Sequence, residues 1–352
     1  MSTPNSLHCI VPPHMLESIE RNGTVAQQEW ASATLAADVV AREERAAQAA
    51  VIRDQPVQPA VGPPRKDRSI HDGGNGATLP GRRVRGEGAA PTGDGDVDRV
   101  YDGFGATWDL YFDVFGRNSF DNAGASLVGT VHHRRRYNNA FWNGTQMAFG
   151  DGDGTLFVSF TTAVDVMGHE LTHAVTERSS GLEYHDQPGA LNESLSDVFG
   201  SLVKQRGAAQ SATAADWLIG AGILGPTING VALRSMKAPG TAYDDPTLGR
   251  DPQPAHMDDY DPTPDDNGGV HINSGIPNHA FYLFAVALGG NAWEQAGQVW
   301  YATATDPALS SSASFQEFAE LTVSHAQDLY DTEVAGSCSD AWAGVGIVVP
   351  LR

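Results

Sequence analysis

Residues 161–180 read Thr-Thr-Ala-Val-Asp-Val-Met-Gly-His-Glu-Leu-Thr-His-Ala-Val-Thr-Glu-Arg-Ser-Ser, and His169 to His173 decide how the rest is read. Val164, Val166, Met167, Leu171 and Val175 recur at helical spacing, which predicts a helix here. On a helix, two histidines four apart are offset by about 40° and separated by a rise of about 6 Å. Both imidazoles can then reach one metal ion. Glu170 follows the first of them and can take a proton from a metal-bound water. Two surface histidines that happen to be four apart would give the same letters.

A second segment narrows the choice. Gly189-Ala190-Leu191-Asn192-Glu193-Ser194-Leu195-Ser196-Asp197 also reads as a helix. Glu193 lies 20 positions after His173, room for a turn and an antiparallel return. Its carboxylate completes a His, His, Glu set with a fourth position left open, the arrangement of catalytic rather than structural zinc. Asp197, four residues on, shares a face with Glu193. Asp197 and Asn192 suit the work of fixing the histidine tautomers.

The third segment, Asp265-Asp266-Asn267-Gly268-Gly269-Val270-His271, is a polar, Gly-rich loop leading into a helix. His271 could be a turn residue, or could donate a hydrogen bond to a developing oxyanion. Asp266 could hold its ring and raise its pKa.

Composition sets the frame around these motifs. The chain has 352 residues, 22 basic and 43 acidic, for a net charge of −21. Residues 1–100 carry net −2 and residues 101–352 net −19. Such acidity argues against nucleic acid and anionic membranes as partners. No apolar run of about 18 residues occurs, so no membrane-spanning helix is expected. Cys9 and Cys338 are too few for a disulfide framework.

Along the chain, residues 15–53 read as helical. Residues 54–66 carry four prolines and read as a linker. Short apolar runs between Gly, Asp and Asn turns predict strands over 69–154, interrupted by a helix around 96–115. Helices are expected over 161–178, 188–206, 276–288, 292–304 and 314–330. The expectation is an α+β chain, with a strand-rich lobe followed by a helical lobe.

In type, order and spacing, the segments from about Ser69 to the C-terminus resemble the thermolysin-like neutral metallopeptidases. The region around Pro12-Pro13-His14-Met15-Leu16 resembles the short propeptide of the protealysin-like branch. The resemblance implies a two-lobe zincin: a propeptide over 1–57 cut in the 54–66 linker, a strand-rich lobe over 58–187 containing the zinc-binding helix, and a helical lobe over 188–352. It implies a zymogen of a zinc endopeptidase. His169, His173 and Glu193 would hold Zn2+, and Glu170 would activate the water and later protonate the leaving amine. Asp197 would support His169, and Asn192 would support His173. His271 and Tyr184 would stabilise the tetrahedral intermediate, with Asp266 orienting His271. Arg234 would bind a substrate carbonyl. Asn139-Ala140-Phe141-Trp142 resembles the family's edge strand, with Asn139, Ala140 and Trp142 on the substrate side.

Further expectations follow from the same likeness. Phe157, Phe160, Val166 and Leu233 would line the pocket for a bulky apolar residue just after the scissile bond. Cleavage is then expected before Leu, Phe, Ile or Val. The family's double calcium site is expected to be lost, because Lys204, Leu218 and Ala221 cannot act as carboxylate ligands. Lys204 would pair with Asp165 or Asp216 instead. Thr176 and Ser179 replace the glycine and histidine of metzincins, and 19 residues separate His173 from Glu193 where aminopeptidases usually have 18. The propeptide would act as an intramolecular inhibitor, with Cys9 either reaching the zinc as a thiolate or simply buried. A non-catalytic zincin-fold binding protein and a zinc aminopeptidase are the alternatives. No classical signal peptide is visible, so secretion by a non-classical route and a cytoplasmic place both stay open. A monomer acting on peptide or protein substrates is expected.

Overall fold

The computed structural model describes residues 8–52 and 63–351, so most of the 54–66 linker, and the cut expected in it, lie outside the described residues. Two helices follow the first strand, α1 (Pro13–Asn22) and α2 (Val25–Ile52). The helical stretch expected over 15–53 forms as these two helices, parted at Gly23-Thr24. A Cβ on Gly23 would sit 2.7 Å from the Ile19 carbonyl. Thr24 then restarts the helix with a reciprocal cap: its N–H donates to Gln27 Oε1 (2.8 Å), and its hydroxyl accepts from the Gln27 N–H (3.4 Å).

A six-stranded mixed sheet follows, built from β1 (His8–Cys9), β2 (Arg68–Asp72), β3 (Arg82–Gly86), β4 (Leu127–Val131), β5 (Ala140–Trp142) and β6 (Met147–Phe149). Its order is β1-β5-β6-β4-β2-β3, so the N-terminal strand lies on the far edge, against β5. Helix α3 (Gly95–Phe115) covers one face. Asp94 caps its start through the Asp96 and Val97 amides, and Gly116, at φ 70°, ends it in the left-handed region. Gly129 on β4 lets α3 lie close, since a Cβ there would meet Phe104 at 2.8 Å.

The next two helices build the site: α4 (Val164–Glu177) and α5 (Asp186–Gly207). They cross on a pair of glycines. A Cβ on Gly168 would stand 2.8 Å from the Gly200 Cα, and one on Gly200 would stand 2.5 Å from the Asp165 carbonyl. Only residues without side chains allow backbones this close. That closeness brings the His169–His173 face of α4 within reach of Glu193 and Asp197 on α5. A short ribbon, β7 (Leu218–Ile219) with β8 (Arg234–Ser235), carries Arg234 to the same place.

A second short ribbon, β9 (Asp244–Asp245) with β10 (Gly249–Arg250), comes next, and α-helices follow it: α6 (Asp266–Asn273), α7 (Gly275–Leu288), α8 (Gln295–Ala304), α9 (Phe315–Leu329) and α10 (Thr332–Ala343). The last was not expected. Asp331 caps it through the Glu333 and Val334 amides. Trp342 anchors it, stacked on Trp300 at 5.8 Å and donating to the Thr322 hydroxyl at 2.7 Å. The α+β architecture with a strand-rich first part and a helical second part is the one expected. No helix among the described residues is long and apolar enough to cross a membrane.

Candidate metal centre and cleft

His169, His173 and Glu193 come together as the motif spacing requires, with ligand atoms within 4.8 Å of one another and all three side chains buried. His169 Nε2 lies 3.5 Å from Glu193 Oε2, and His173 Nε2 lies 3.5 Å from Glu193 Oε1. Neighbours settle the tautomers. The Asp197 carboxylate accepts from His169 Nδ1 at 2.8 Å. Asn192 spends its amide N–H on the Leu182 carbonyl (3.3 Å), so its Oδ1 accepts from His173 Nδ1 (2.8 Å). Both Nδ1 atoms thus hold protons, and both Nε2 atoms present lone pairs.

Those two Nε2 atoms stand 3.0 Å apart, beside a carboxylate and out of contact with water. Two lone pairs and an anion in a buried space repel one another unless a cation lies between them. The donor set, two imidazoles and one carboxylate, fits Zn2+. Asp197 holds the set from behind. It accepts from Arg234 Nε and Nη2 (2.8 Å each) and from Asn278 Nδ2 (2.9 Å), and is fully buried. Burial disfavours its charge, but Arg234 and His169 outweigh that and hold its pKa well below the usual carboxylate range.

His271, on α6, faces the metal centre, with its Nε2 3.5 Å from Glu193 Oε1. Asp266, Asn267, Gly268 and Gly269 all have positive φ, and this left-handed run turns the Asp266 carboxylate back onto the helix it opens. Asp266 accepts from the His271 amide (2.9 Å) and from His271 Nδ1 (2.8 Å). Burial opposes charge on the ring, yet the Asp266 and Glu193 carboxylates carry its pKa up to about 9. Tyr184 donates to Glu193 Oε1, and its hydroxyl lies 3.2 Å from His271 Nε2. Glu170 is fully buried on α4 beside the first histidine.

The cleft next to these groups is filled by the chain's own N-terminal segment. Strand β1 runs antiparallel to β5, with His8 opposite Trp142 and Cys9 opposite Phe141. The Ile10 amide donates to the Ala140 carbonyl (3.2 Å), and the Val11 amide donates to Asn139 Oδ1 (3.0 Å). Arg234 Nη1 donates to the Ile10 carbonyl (2.9 Å). His271 Nε2 donates to the Cys9 carbonyl (3.0 Å). Asn139, Ala140 and Arg234 therefore grip an extended chain. Trp142 instead spends its indole N–H on Glu177 (3.1 Å). Phe157, Phe160, Val166 and Leu233 are at most 1 % exposed and belong to the same apolar cluster as Ile10.

The thiolate reading of Cys9 is overturned. Its side chain packs with Ala37, Tyr137, Phe141 and Ala148, and burial pushes its pKa well above the ordinary thiol value. What Cys9 turns toward His271 is its carbonyl oxygen.

Three comparisons bear on what this assembly is. Residues 86–177 match the model of the thermolysin metallopeptidase catalytic domain, and residues 180–347 match that of its alpha-helical domain. An extracellular metalloprotease of Pectobacterium carotovorum subsp. carotovorum is 49 % identical over 343 residues, 97 % of this chain and 96 % of that protein. This chain belongs to the thermolysin family of metallopeptidases. Protease PrtS of a Photorhabdus species is 46 % identical across 98 % of this chain and 93 % of its own. The solved precursor of protealysin, a metalloproteinase from Serratia proteamaculans, superposes with a TM-score of 0.89 at 52 % identity, covering 97 % of this chain and all of that one. The thermolysin-family chain is a metalloendopeptidase, with the thermolysin-like fold expected from its motifs.

Some site residues were missed in the sequence. Asn278, which holds Asp197, sits in an apolar helix with nothing beside it to mark it. Asp38 on α2 is buried against the edge-strand region, accepting from Tyr137 and from Asn139 Nδ2 (3.0 Å). A lone acid on the Thr34, Ala37, Asp38, Ala41 face of α2 was its only signal.

Proposed function

We propose that the chain is the precursor of a zinc endopeptidase that cuts on the amino side of bulky apolar residues and is held latent by its own N-terminal segment. The supporting observation is the convergence of His169, His173 and Glu193 beside an extended chain gripped at its backbone. When bound there, zinc would acidify a water and polarise the substrate carbonyl. Glu170 would hold the proton of the attacking water and give it to the leaving amine. His271 Nε2 and the Tyr184 hydroxyl would donate to the oxyanion, with Asp266 keeping the imidazole charged and oriented. Arg234 would take the carbonyl of the following residue, while Asn139 and the Ala140 carbonyl align the strand.

The primed-side pocket is assigned to Phe157, Phe160, Val166 and Leu233. Casein digestion blocked by phenanthroline tests the endopeptidase reading. Activity confined to aminoacyl anilides would overturn it. Relatives named extracellular support release from the cell, and a culture-supernatant blot tests that.

Lys204 takes the place of a calcium ion. Its Nζ lies 3.4 Å from Asp165, 2.9 Å from Asp216 and 2.9 Å from the Leu218 carbonyl. Asp165 is buried, which raises its pKa, and Lys204 is its counter-charge. A calcium-selective chelator is expected to leave the thermal midpoint unchanged. Lys204→Met should destabilise by about 3 kcal/mol in a denaturant titration, by stranding that carboxylate. A calcium-dependent midpoint in the parent would contradict the assignment.

The propeptide carries two opposed titrations. Burial lowers the His14 pKa to about 4, with Asp266, His271 and Arg234 around it. Burial raises the Asp38 pKa to about 6, with Tyr137, Asn139, Arg42 and Arg134 around it. His14 weakens docking as pH falls from its free value toward 4. Asp38 favours docking below its free value and loses that as pH rises through 6. The two nearly cancel, at roughly 3 kcal/mol each from about 1.4 kcal/mol per pKa unit. His14→Gln is therefore expected to make docking tighten toward pH 4.5, read as slower alkylation of Cys9 relative to a free thiol at the same pH. Loosening in that variant would contradict it.

A further inference from the structure

We propose that the Cys9–Ile10 peptide bond is itself a substrate bond of this site: the N-terminal segment lies in the direction and register of a productively bound chain, and the metal-loaded enzyme hydrolyses it. This rests on the endopeptidase reading above and adds to it the place of a self-cleavage.

Register is set by contacts that no one-residue shift preserves. The group facing the oxyanion donors is the Cys9 carbonyl, 3.0 Å from His271 Nε2, whose neighbours are the Tyr184 hydroxyl (3.2 Å) and Glu193 Oε1 (3.5 Å). The residue after it, Ile10, gives its N–H to Ala140 and its carbonyl to Arg234. Val11 follows, with its N–H and its carbonyl both held by the Asn139 amide (3.0 and 3.4 Å). Sliding the strand by one residue turns every side chain to the opposite face. Ile10 would then leave its fully buried place in the apolar cluster shared with Phe157, Phe160, Val166 and Leu233. The cysteine thiol would leave its pocket against Tyr137 and Phe141.

The chain leaves the cleft directly after Val11. Pro12 has no N–H to offer β5, and Pro13 begins α1. An aliphatic residue therefore sits where the apolar side chain after the scissile bond is expected, behind the one carbonyl that meets His271 among the described residues.

The chemistry balances with water as the only co-reactant. Water adds at the Cys9 carbonyl carbon, and the Cys9 C–Ile10 N bond breaks. Glu170 carries the water's two protons, one after the other, to the departing Ile10 nitrogen. One product ends in the Cys9 carboxylate and the other begins with the Ile10 ammonium. The new end stays tethered through α1 and α2: His14 Nε2 lies 3.1 Å from the Tyr243 hydroxyl, Ser18 donates to the Thr247 carbonyl at 3.1 Å, and Asp38 holds Asn139. Cleavage here does not by itself free the cleft.

The test uses the full chain with zinc. Intact-mass and N-terminal sequencing of aged protein should show a species beginning at Ile10, formed at a rate independent of protein concentration and absent from Glu170→Gln. Ile10→Asp should abolish that terminus, and Ile10→Leu should retain it. A second readout needs no turnover. In the Glu170→Gln chain, Cys9 should alkylate at least 100-fold more slowly than in the Ile10→Asp, Glu170→Gln double variant. A chain that digests casein while Cys9–Ile10 stays whole overturns the register alone. Cys9 labelled as fast as a free thiol in Glu170→Gln does the same. A chain inert on casein as well fails the endopeptidase reading and takes this one with it.

Discussion

Replacing Glu170 by Gln is expected to lower kcat on a peptide substrate by about 10²–10⁴-fold while leaving metal content and thermal midpoint within error. Gln fills the same fully buried space on α4 without offering a base. His169, His173 and Glu193 keep their own supports in Asp197, Asn192 and Tyr184, so the metal centre should survive. The variant should therefore accumulate as uncut precursor. Retained activity would move the proton transfer to another group, with His271 the next in reach of the Cys9 carbonyl.

Asp197→Ala should have the largest effect on stability. Its carboxylate accepts from His169, from Arg234 twice and from Asn278. Arg234 is 2 % exposed, and without Asp197 its guanidinium remains buried beside the site with its ion-pair partner gone. Stranding one member of such a pair costs about 3–5 kcal/mol. Loss of the acceptor on His169 Nδ1 should also weaken zinc binding by roughly 10–100-fold. Denaturant titration and competition with a zinc chelator read the two separately. A variant as stable as the parent would show that Arg234 finds water or another anion once Asp197 is gone.

The metal centre was legible in the sequence because its geometry is local. His169 and His173 are fixed by one helix turn, and Asp197 follows Glu193 by another. The joining of the two helices was carried by Gly168 and Gly200, whose close contact a linear reading does not reveal. The supports that come from far along the chain were hidden for the same reason. Asn278 and Asp38 have no periodic or motif signal, and only packing places them on Asp197 and Asn139.

Misreadings have equally local causes. Good helix formers lie on both sides of the break at Gly23, where the backbone turns extended and the Gly23 N–H closes the last turn on the Ile19 carbonyl. Helix α10 follows a polar start, Asp331-Thr332-Glu333, and its buried stripe of Val334, Cys338, Ala341 and Trp342 is short and built partly of small residues. By its sequence alone, Cys9 is either a metal-seeking thiol or a buried one. The strand alternation of β1 instead sends its sulfur into an apolar pocket and leaves its carbonyl at His271.

The most direct test of the metal centre is elemental analysis of the purified full chain beside a His173→Ala variant of equal helicity. Expected is one zinc per parent chain and a small fraction of that in the variant. A parent without zinc, or a variant that keeps a full equivalent, would contradict the assignment of His169, His173 and Glu193 as its ligands.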